Sequence, residues 1–291
     1  MLKKSTIIIP TVNNFDYLKL CINSIIKNST FHHELIVHIN GKDPITENYL
    51  IKKNITYTKS DNNVGLCTGV NLASKKSTTE FIIYSHDDMY YLPKWDLYIF
   101  DEIKKLPNNL FYFSPTQISH YPKNKGVINH IYFDAGNDIK NFQEDLLLSE
   151  FNDLEFYDMQ GSHWAPHIIH RDIWNKIGGF SEEFNPGFGS DPDLNMKLWQ
   201  EGVRIFKSIN KSRIYHFGSL TTRKNKNIKR NDGRKIFLLK WKMTIDYFVK
   251  YYLQRGSKYK ASLKEHKVSI NNLLPFISSK IKYFIKKINE K

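Results

Sequence analysis

The 291-residue sequence has only two cysteines, Cys21 and Cys67, and neither sits in a metal-ligand spacing. That excludes a disulfide-stapled scaffold and a cysteine zinc site, and it points to a reducing compartment, so a cytoplasmic protein is expected. Long apolar runs are also missing: none approaches the roughly 18–20 residues needed to span a bilayer. The opening MLKKSTIIIPTV has too short an apolar run for a secretory signal and leads straight into a strand-like segment. Acidic residues are scarce in one region only. Residues 201–291 carry 24 Lys and Arg against 5 Asp and Glu, while residues 1–200 carry 19 against 24, so the net charge of +14 belongs to the tail. A basic tail on a mildly acidic body suits a polyanionic surface, anionic lipid or nucleic acid, better than it suits an anionic substrate pocket. No DNA- or RNA-binding motif accompanies the charge, and no nucleic-acid partner is expected.

The length suffices for one large α/β domain that buries a core without staples. Residues 6–10 form a β-branched run, and Leu18, Ile22, Ile25 and Ile26 then recur at helical spacing. The alternation continues with strands at 35–39, 55–58 and 80–85 and helices at 44–51 and 66–74. Near-continuous apolar strands alternating with helices predict a mostly parallel sheet covered by helices. Ligands in such sheets bind beyond the carboxyl ends of the strands. Here those ends carry Thr11 and Asn13, Asn40 to Asp43, Asp61 to Asn63, and His86 to Asp88. Further on, the pattern predicts a helix after Pro93, a strand at 110–113, a hairpin near 127–133, a strand at 164–169, a helix from Arg171, a helix at 192–201, and strands at 203–207 and 212–217. Beyond Gly233 the chain reads as helical, basic and aromatic, which predicts a domain over residues 1–222 and a C-terminal extension over 223–291.

The segment FIIYSHDDMYYLPKW ends a buried strand in two adjacent carboxylates. Unpaired negative charge in a crevice is costly unless a cation joins it, and hard divalent ions take carboxylate together with diphosphate oxygens. Asp87 and Asp88 equally fit a turn-capping role. Ser190-Asp191-Pro192 has the pattern of a helix start, with Asp191 at the N-cap and Pro192 at the first helical position.

Taken together, five segments resemble family 2 glycosyltransferases of the GT-A fold over about residues 5–220. They are IIIPTVNNFDYLKLCINSI, NNVGLCTGVN, HDDM, RDIWNKIGGFSEEFNPGFGSDPDLNMKLWQEG and HFGS. The resemblance implies a GT-A, Rossmann-like three-layer α/β/α domain. It also implies inverting transfer of a sugar from a nucleoside-diphosphate sugar to an acceptor hydroxyl, with Mn²⁺ or Mg²⁺ as cofactor. Asp88 and His216 would hold the metal, with Asp87 at the ribose or the metal's water shell. Asp191 would be the general base and Asp193 its supporting carboxylate. Thr11, Asn13, Asn63 and Asn71 would serve the nucleotide-sugar site, and His163 and Trp164 the sugar and acceptor pocket. The sequence departs from the family in three places. His86 stands where an Asp or Asn is usual, Ile39 where many members have a base-contacting Asp, and Leu66, Cys67 and Thr68 where a basic residue is usual. Asn40 and Asp43 are the nearest polar substitutes for the missing Asp.

Each of these residues also has a plainer reading. Asn63 and Asn71 fit turn and helix-capping roles, His216 fits a satisfied strand-end histidine, and Trp164 fits the core. In the tail, Ile277, Ile281, Phe284, Ile285 and Ile288 fall on one helical face after Pro275, with Lys280, Lys282, Lys286 and Lys287 elsewhere. This is the pattern of an interfacial helix at a membrane surface or of a helix docked on the domain. The expected partners are a nucleotide sugar and a glycan or lipid-linked acceptor in cell-surface glycan or polysaccharide synthesis. A catalytically inactive sugar-binding relative and a nucleic-acid-binding protein are the competing readings. The carboxylates Asp87, Asp88 and Asp191 speak against the first, and the missing motif speaks against the second.

Overall fold

A computed structural model describes residues 2–121, 130–162, 164–218 and 231–289. Strand β1, Thr6–Thr11, has Ile7, Ile8 and Ile9 fully buried, as happens when both faces of a strand are covered. It pairs in parallel with β2, Glu34–Asn40, and with β4, Phe81–Tyr84, while β3, Thr56–Ser60, adds in parallel at the edge. Helices α1, Phe15–Asn28, α2, Pro44–Lys52, and α3, Leu66–Ser74, make the crossovers. The carboxyl ends of these four strands therefore share one edge, as the alternating pattern predicts.

The second half turns the sheet mixed. After β5, Met89–Tyr91, and α4, Trp95–Ile103, come β6, Phe111–Ser119, β7, Ile131–Tyr132, α5, Glu144–Glu150, and β8, Met159–Gln160. Then follow β9, His167–His170, α6, Arg171–Ile177, α7, Ser190–Gln200, and β10, Ile205–His216. The main strand order is β3-β2-β1-β4-β9-β6-β10-β5. β9 runs antiparallel between β4 and β6, and β5 and β8 run antiparallel to β10.

Two sequence expectations need correction here. The strand expected at 164–169 begins only at His167, because Pro166 offers no N–H to the ladder. The two strands expected at 203–207 and 212–217 are one, β10, with a bulge between Ile209 and Arg213. The polar residues there look like a break, but Ile209 lies opposite Pro115, and the ladder resumes at Thr116 and Arg213. The hairpin expected near 127–133 falls partly on residues 122–129, which lie outside the described residues; of the rest, Ile131–Tyr132 pairs in parallel with β6.

The expected boundary between residues 222 and 223 also falls outside the described residues. The extension packs on the main core: Phe237 of the helix Gly233–Trp241, and Phe248, Val249, Leu253 and Leu263 beyond it, join the cluster that contains Ile8 and Ile83. The last helix, Ile270–Ile288, starts before Pro275 rather than after it. The side chain of Asn272 accepts from the Ser269 N–H at 2.9 Å and fixes the start, leaving Pro275 within the second turn. At about 3.6 residues per turn, Asn272, Ser279 and Tyr283 share one face. All three are buried, and Ser279 Oγ accepts from the Thr244 N–H at 2.8 Å. The opposite face carries Leu274, Ile277, Ile281, Phe284, Ile285 and Ile288, between 43% and 77% exposed. The helix thus docks through its small and polar side and turns its apolar stripe outward. No helix among the described residues is long and apolar enough to cross a membrane.

Candidate active site

All four residues of β4 are buried. The chain then turns through His86, Asp87 and Asp88 into β5, which sets Met89 opposite His216 at the end of β10. This pairing, absent from the sequence reading, pins Asp88 beside His216. The Phe217 N–H donates to the Asp88 carbonyl at 3.2 Å, and Asp88 Oδ1 lies 3.3 Å from His216 Nε2. His86 Nδ1 is 3.9 Å from the same oxygen, and one ligand atom from each of the three residues lies within 4.8 Å of the others. The Asp88 side chain is 4% exposed and that of His216 15%. The corner fits a divalent cation on two grounds. His216 Nε2 is buried without a hydrogen-bond partner among the described residues, and two adjacent buried carboxylates call for a compensating positive charge. Burial pushes His86 down to about 4, so its imidazole is neutral near pH 7 even though an edge of the ring reaches solvent.

Asp87 turns away from this corner. Its Oδ2 accepts from Thr11 Oγ1 at 2.7 Å, which ties the end of β1 to the turn after β4. Burial first, and then the charge of Asp88, push its carboxyl up. A cation bound nearby would oppose both effects. Asn13 takes φ 47°, a left-handed conformation that Asn tolerates, where the chain leaves β1. With Asn14, Asp43, Asp138 and Lys140 it lines a cavity of about 620 Å³. Asp43 also caps α2, accepting from Thr46 N–H at 3.1 Å and Thr46 Oγ1 at 2.6 Å. Asn40 and Asn63 turn to the loop before α3. Asn40 Oδ1 accepts from Val64 N–H at 2.7 Å, and Asn63 Oδ1 accepts from Gly65 N–H at 2.9 Å. Asn71 clasps Phe180, donating to its carbonyl at 2.8 Å and accepting from its N–H at 2.9 Å. Of the residues expected at the nucleotide, Thr11 meets Asp87, and Asn13 and Asp43 line the same cavity. Asn40, Asn63 and Asn71 instead hold backbone. Sequence reasoning missed Asp138 and Lys140, which reach the cavity because Tyr17 OH accepts from the Ile139 N–H at 3.0 Å.

Helix α7 begins two residues earlier than expected, with Gly189 as its cap at φ 87°. Asp191 therefore lies inside the first turn and is not the N-cap, because a glycine that reaches a left-handed conformation freely takes that place. Its carboxyl has no stabilising partner among the described residues, and burial alone pushes it up to about 7. Tyr84 and Tyr112 lie close enough for its charge to act on them. Burial raises both hydroxyls well above their ordinary value, and Asp191 adds to it. Tyr84 also feels Asp88 and Asp87, so both sets of carboxylates surround one buried tyrosine.

Asp193 is fully buried and fully engaged. Ser181 Oγ donates to it at 2.6 Å, Trp241 Nε1 at 2.8 Å, and Lys240 Nζ lies at 3.0 Å. It ties α7 to the helix Gly233–Trp241, and no sequence signal links it to Lys240 or Trp241. Trp164 is half-buried, and its carbonyl accepts from Tyr112 OH at 3.1 Å. His163 lies outside the described residues.

A family model described as glycosyl transferase family 2 matches residues 6–178. No curated protein matches the chain. Among solved structures, TarS 1-349 of S. aureus is 17% identical with a TM-score of 0.52, covering 74% of this chain and 60% of its own. GalNAc-T7, solved with UDP, GalNAc and Mn²⁺, is 15% identical with a TM-score of 0.59, covering 99% of this chain and 57% of its own. The mannosyltransferase PcManGT of Pyrobaculum calidifontis, solved with GDP-Man and Mn²⁺, is 13% identical with a TM-score of 0.52, covering 75% of this chain and 58% of its own. The chain thus spans about three fifths of the length of each. At such identities the likeness establishes the fold, which is GT-A.

Proposed function

The chain belongs to glycosyl transferase family 2, and from that premise we propose that it is an inverting, metal-dependent glycosyltransferase. It would move a sugar from a nucleoside-diphosphate sugar to an acceptor hydroxyl in cell-surface glycan or polysaccharide synthesis. The observation that carries this reading is the division of labour among the carboxylates. Asp88 sits with two histidines at one corner, while Asp191 stands apart with its carboxyl pushed up to about 7 by burial alone. Environments that separate titratable groups in this way assign them different roles.

Asp88 and His216 would hold a Mn²⁺ or Mg²⁺ ion, which, when bound, neutralises the charge developing on a departing diphosphate. Thr11 fixes the Asp87 carboxylate toward the ribose side. Asn13 and Asp43, which line the cavity beside α1, would face the base and ribose. Solved relatives carry UDP and GDP-Man, which supports a nucleoside diphosphate as the donor's handle. Asp191 takes the proton from the acceptor hydroxyl as its oxygen attacks the anomeric carbon. A carboxylate with a value near 7 is largely ionised in slightly alkaline solution and still basic enough to accept it. Asp193, held by Ser181, Lys240 and Trp241, fixes the helix that carries Asp191. A single displacement inverts the anomeric centre. Proton NMR of the product formed from an α-linked UDP- or GDP-sugar should show a β-linkage, and an α-linked product contradicts the mechanism.

The outward apolar stripe of the last helix supports contact with an anionic lipid surface, at its cytoplasmic side, where a lipid-linked or nascent glycan acceptor would lie. Lys282 and Lys286 flank the stripe on one side and Lys280 and Lys287 on the other, so cations border it along both edges. Ile281→Asp with Phe284→Asp alters only exposed side chains. The double variant should lose binding to phosphatidylglycerol-containing vesicles while keeping donor hydrolysis. Unchanged vesicle binding contradicts the lipid assignment, as does a wild-type dimer that the same changes dissociate.

A further inference from the structure

We propose that His86 is a third protein ligand of the metal, giving two imidazoles and one carboxylate, and that this set selects Mn²⁺ and later first-row ions over Mg²⁺. The proposal rests on the metal reading above and adds a ligand and a selectivity to it. His86 stands where an acidic or amide residue is usual in the family, and the change in donor chemistry is what matters.

The geometry is convergent. Asp88 Oδ1 lies between the rings, 3.3 Å from His216 Nε2 and 3.9 Å from His86 Nδ1. The two rings meet at 56° with centroids 5.7 Å apart, so they do not stack on each other. Neighbouring ligand atoms on an octahedron with bonds of about 2.1 Å are about 3 Å apart, and the three atoms here lie within 4.8 Å of one another, so side-chain rotation that closes the widest gap by up to about 2 Å would bring them onto one ion. The backbone already fixes the His86 position, since its carbonyl accepts from Ser85 Oγ at 2.9 Å. The side chain of His86 makes no hydrogen bond among the described residues that would compete for Nδ1. Three protein ligands on one side leave the remaining coordination positions to diphosphate oxygens and water.

The selectivity follows from the donor atoms. Mg²⁺ prefers oxygen ligands and gives up water reluctantly, so two imidazoles serve it poorly. Nitrogen donors favour first-row ions in the order Mn²⁺, Fe²⁺, Co²⁺ and upward. An aspartate at position 86 would give the site two oxygens and one nitrogen and narrow the preference.

The test uses the full chain with Mn²⁺ alone and then with Mn²⁺ and UDP, read by electron paramagnetic resonance. Continuous-wave spectra give Mn²⁺ affinity, and pulsed spectra report ¹⁴N nuclei bound to the ion. Wild type should show two imidazole nitrogens and should retain Mn²⁺ against a hundredfold excess of Mg²⁺. His86→Ala should show one nitrogen and bind Mn²⁺ at least about tenfold more weakly, since even outer partners of metal ligands are worth that much. His86→Asp should restore affinity while letting Mg²⁺ compete. Thermal unfolding of both variants checks that they fold. A single nitrogen in wild type, lost in His216→Ala and kept in His86→Ala, overturns the role of His86 and leaves the metal reading intact. No Mn²⁺ binding by wild type under either condition overturns both.

Discussion

Replacing Asp191 with Asn separates catalysis from structure, because the two respond in opposite directions. The folded protein holds the Asp191 carboxyl at about 7, against an ordinary value of 3.8, and burial alone is the cause. Since the folded state binds this proton more tightly than the unfolded chain, its contribution to stability is fully present below about pH 4. It is lost as pH rises through 7. A gap of about 3 units, at 1.36 kcal/mol each, sets an upper limit of about 4 kcal/mol on the loss. Asn keeps the size and carries no charge, so Asp191→Asn should match wild type near pH 4 and be more stable at pH 8. Turnover should fall about 10²–10⁴-fold, the range of a general base, with donor affinity nearly unchanged. The wild-type rise of turnover with pH to a plateau above about 7 should flatten in the variant. Urea unfolding at pH 4 and 8, together with transfer rates across the same range, supplies both readouts. Near-wild-type turnover with an unaltered pH profile would refute the role of Asp191, and a loss of stability at pH 8 would refute its desolvated carboxylate.

Two further predictions concern the scaffold around the site. Asp193→Ala strips a fully buried carboxylate from Ser181, Trp241 and Lys240. Removing one partner of a buried ion pair costs about 3–5 kcal/mol, and the partial exposure of Lys240 puts this case near the lower figure, measurable by urea unfolding. Asn185 accepts from the Cys67 N–H at 2.9 Å and donates to Thr68 Oγ1 at 2.8 Å, so it caps α3 from a distant segment. Asn185→Ala should cost about 1–2 kcal/mol by the same measurement, with Mn²⁺ binding unchanged.

The first half of the sheet is legible in the sequence because β1, β2 and β4 are continuous apolar runs separated by helical periods, and local pattern decides them. The second half is less so. β5 is three residues long, and the polar bulge in β10 reads as a break unless Pro115 is known to lie opposite. Asp88 and His216 belong to separate motifs in the sequence, whereas their proximity depends on the pairing of β5 with β10. Asn40 and Asn71 meet backbone groups that only folding brings within reach, whereas Asn63 makes the local turn that its residue type allows. Capping rules point to Asp191 as the N-cap, but Gly189 takes that position through a left-handed conformation that the sequence does not display. In the tail, the apolar stripe of the last helix was legible, while the side on which it docks was not.

Binding of a nucleotide sugar at this site through a divalent metal is tested most directly by thermal unfolding against a panel of nucleotide sugars. A ligand that binds only the native state raises its stability by about 2.7 kcal/mol at a hundred times its dissociation constant. With Mn²⁺ present, at least one UDP- or GDP-sugar should raise the unfolding temperature by several degrees. Excess chelator, or Asp88→Asn with His216→Ala, should abolish the rise. A rise that survives both perturbations, or none with any nucleotide sugar, contradicts the account.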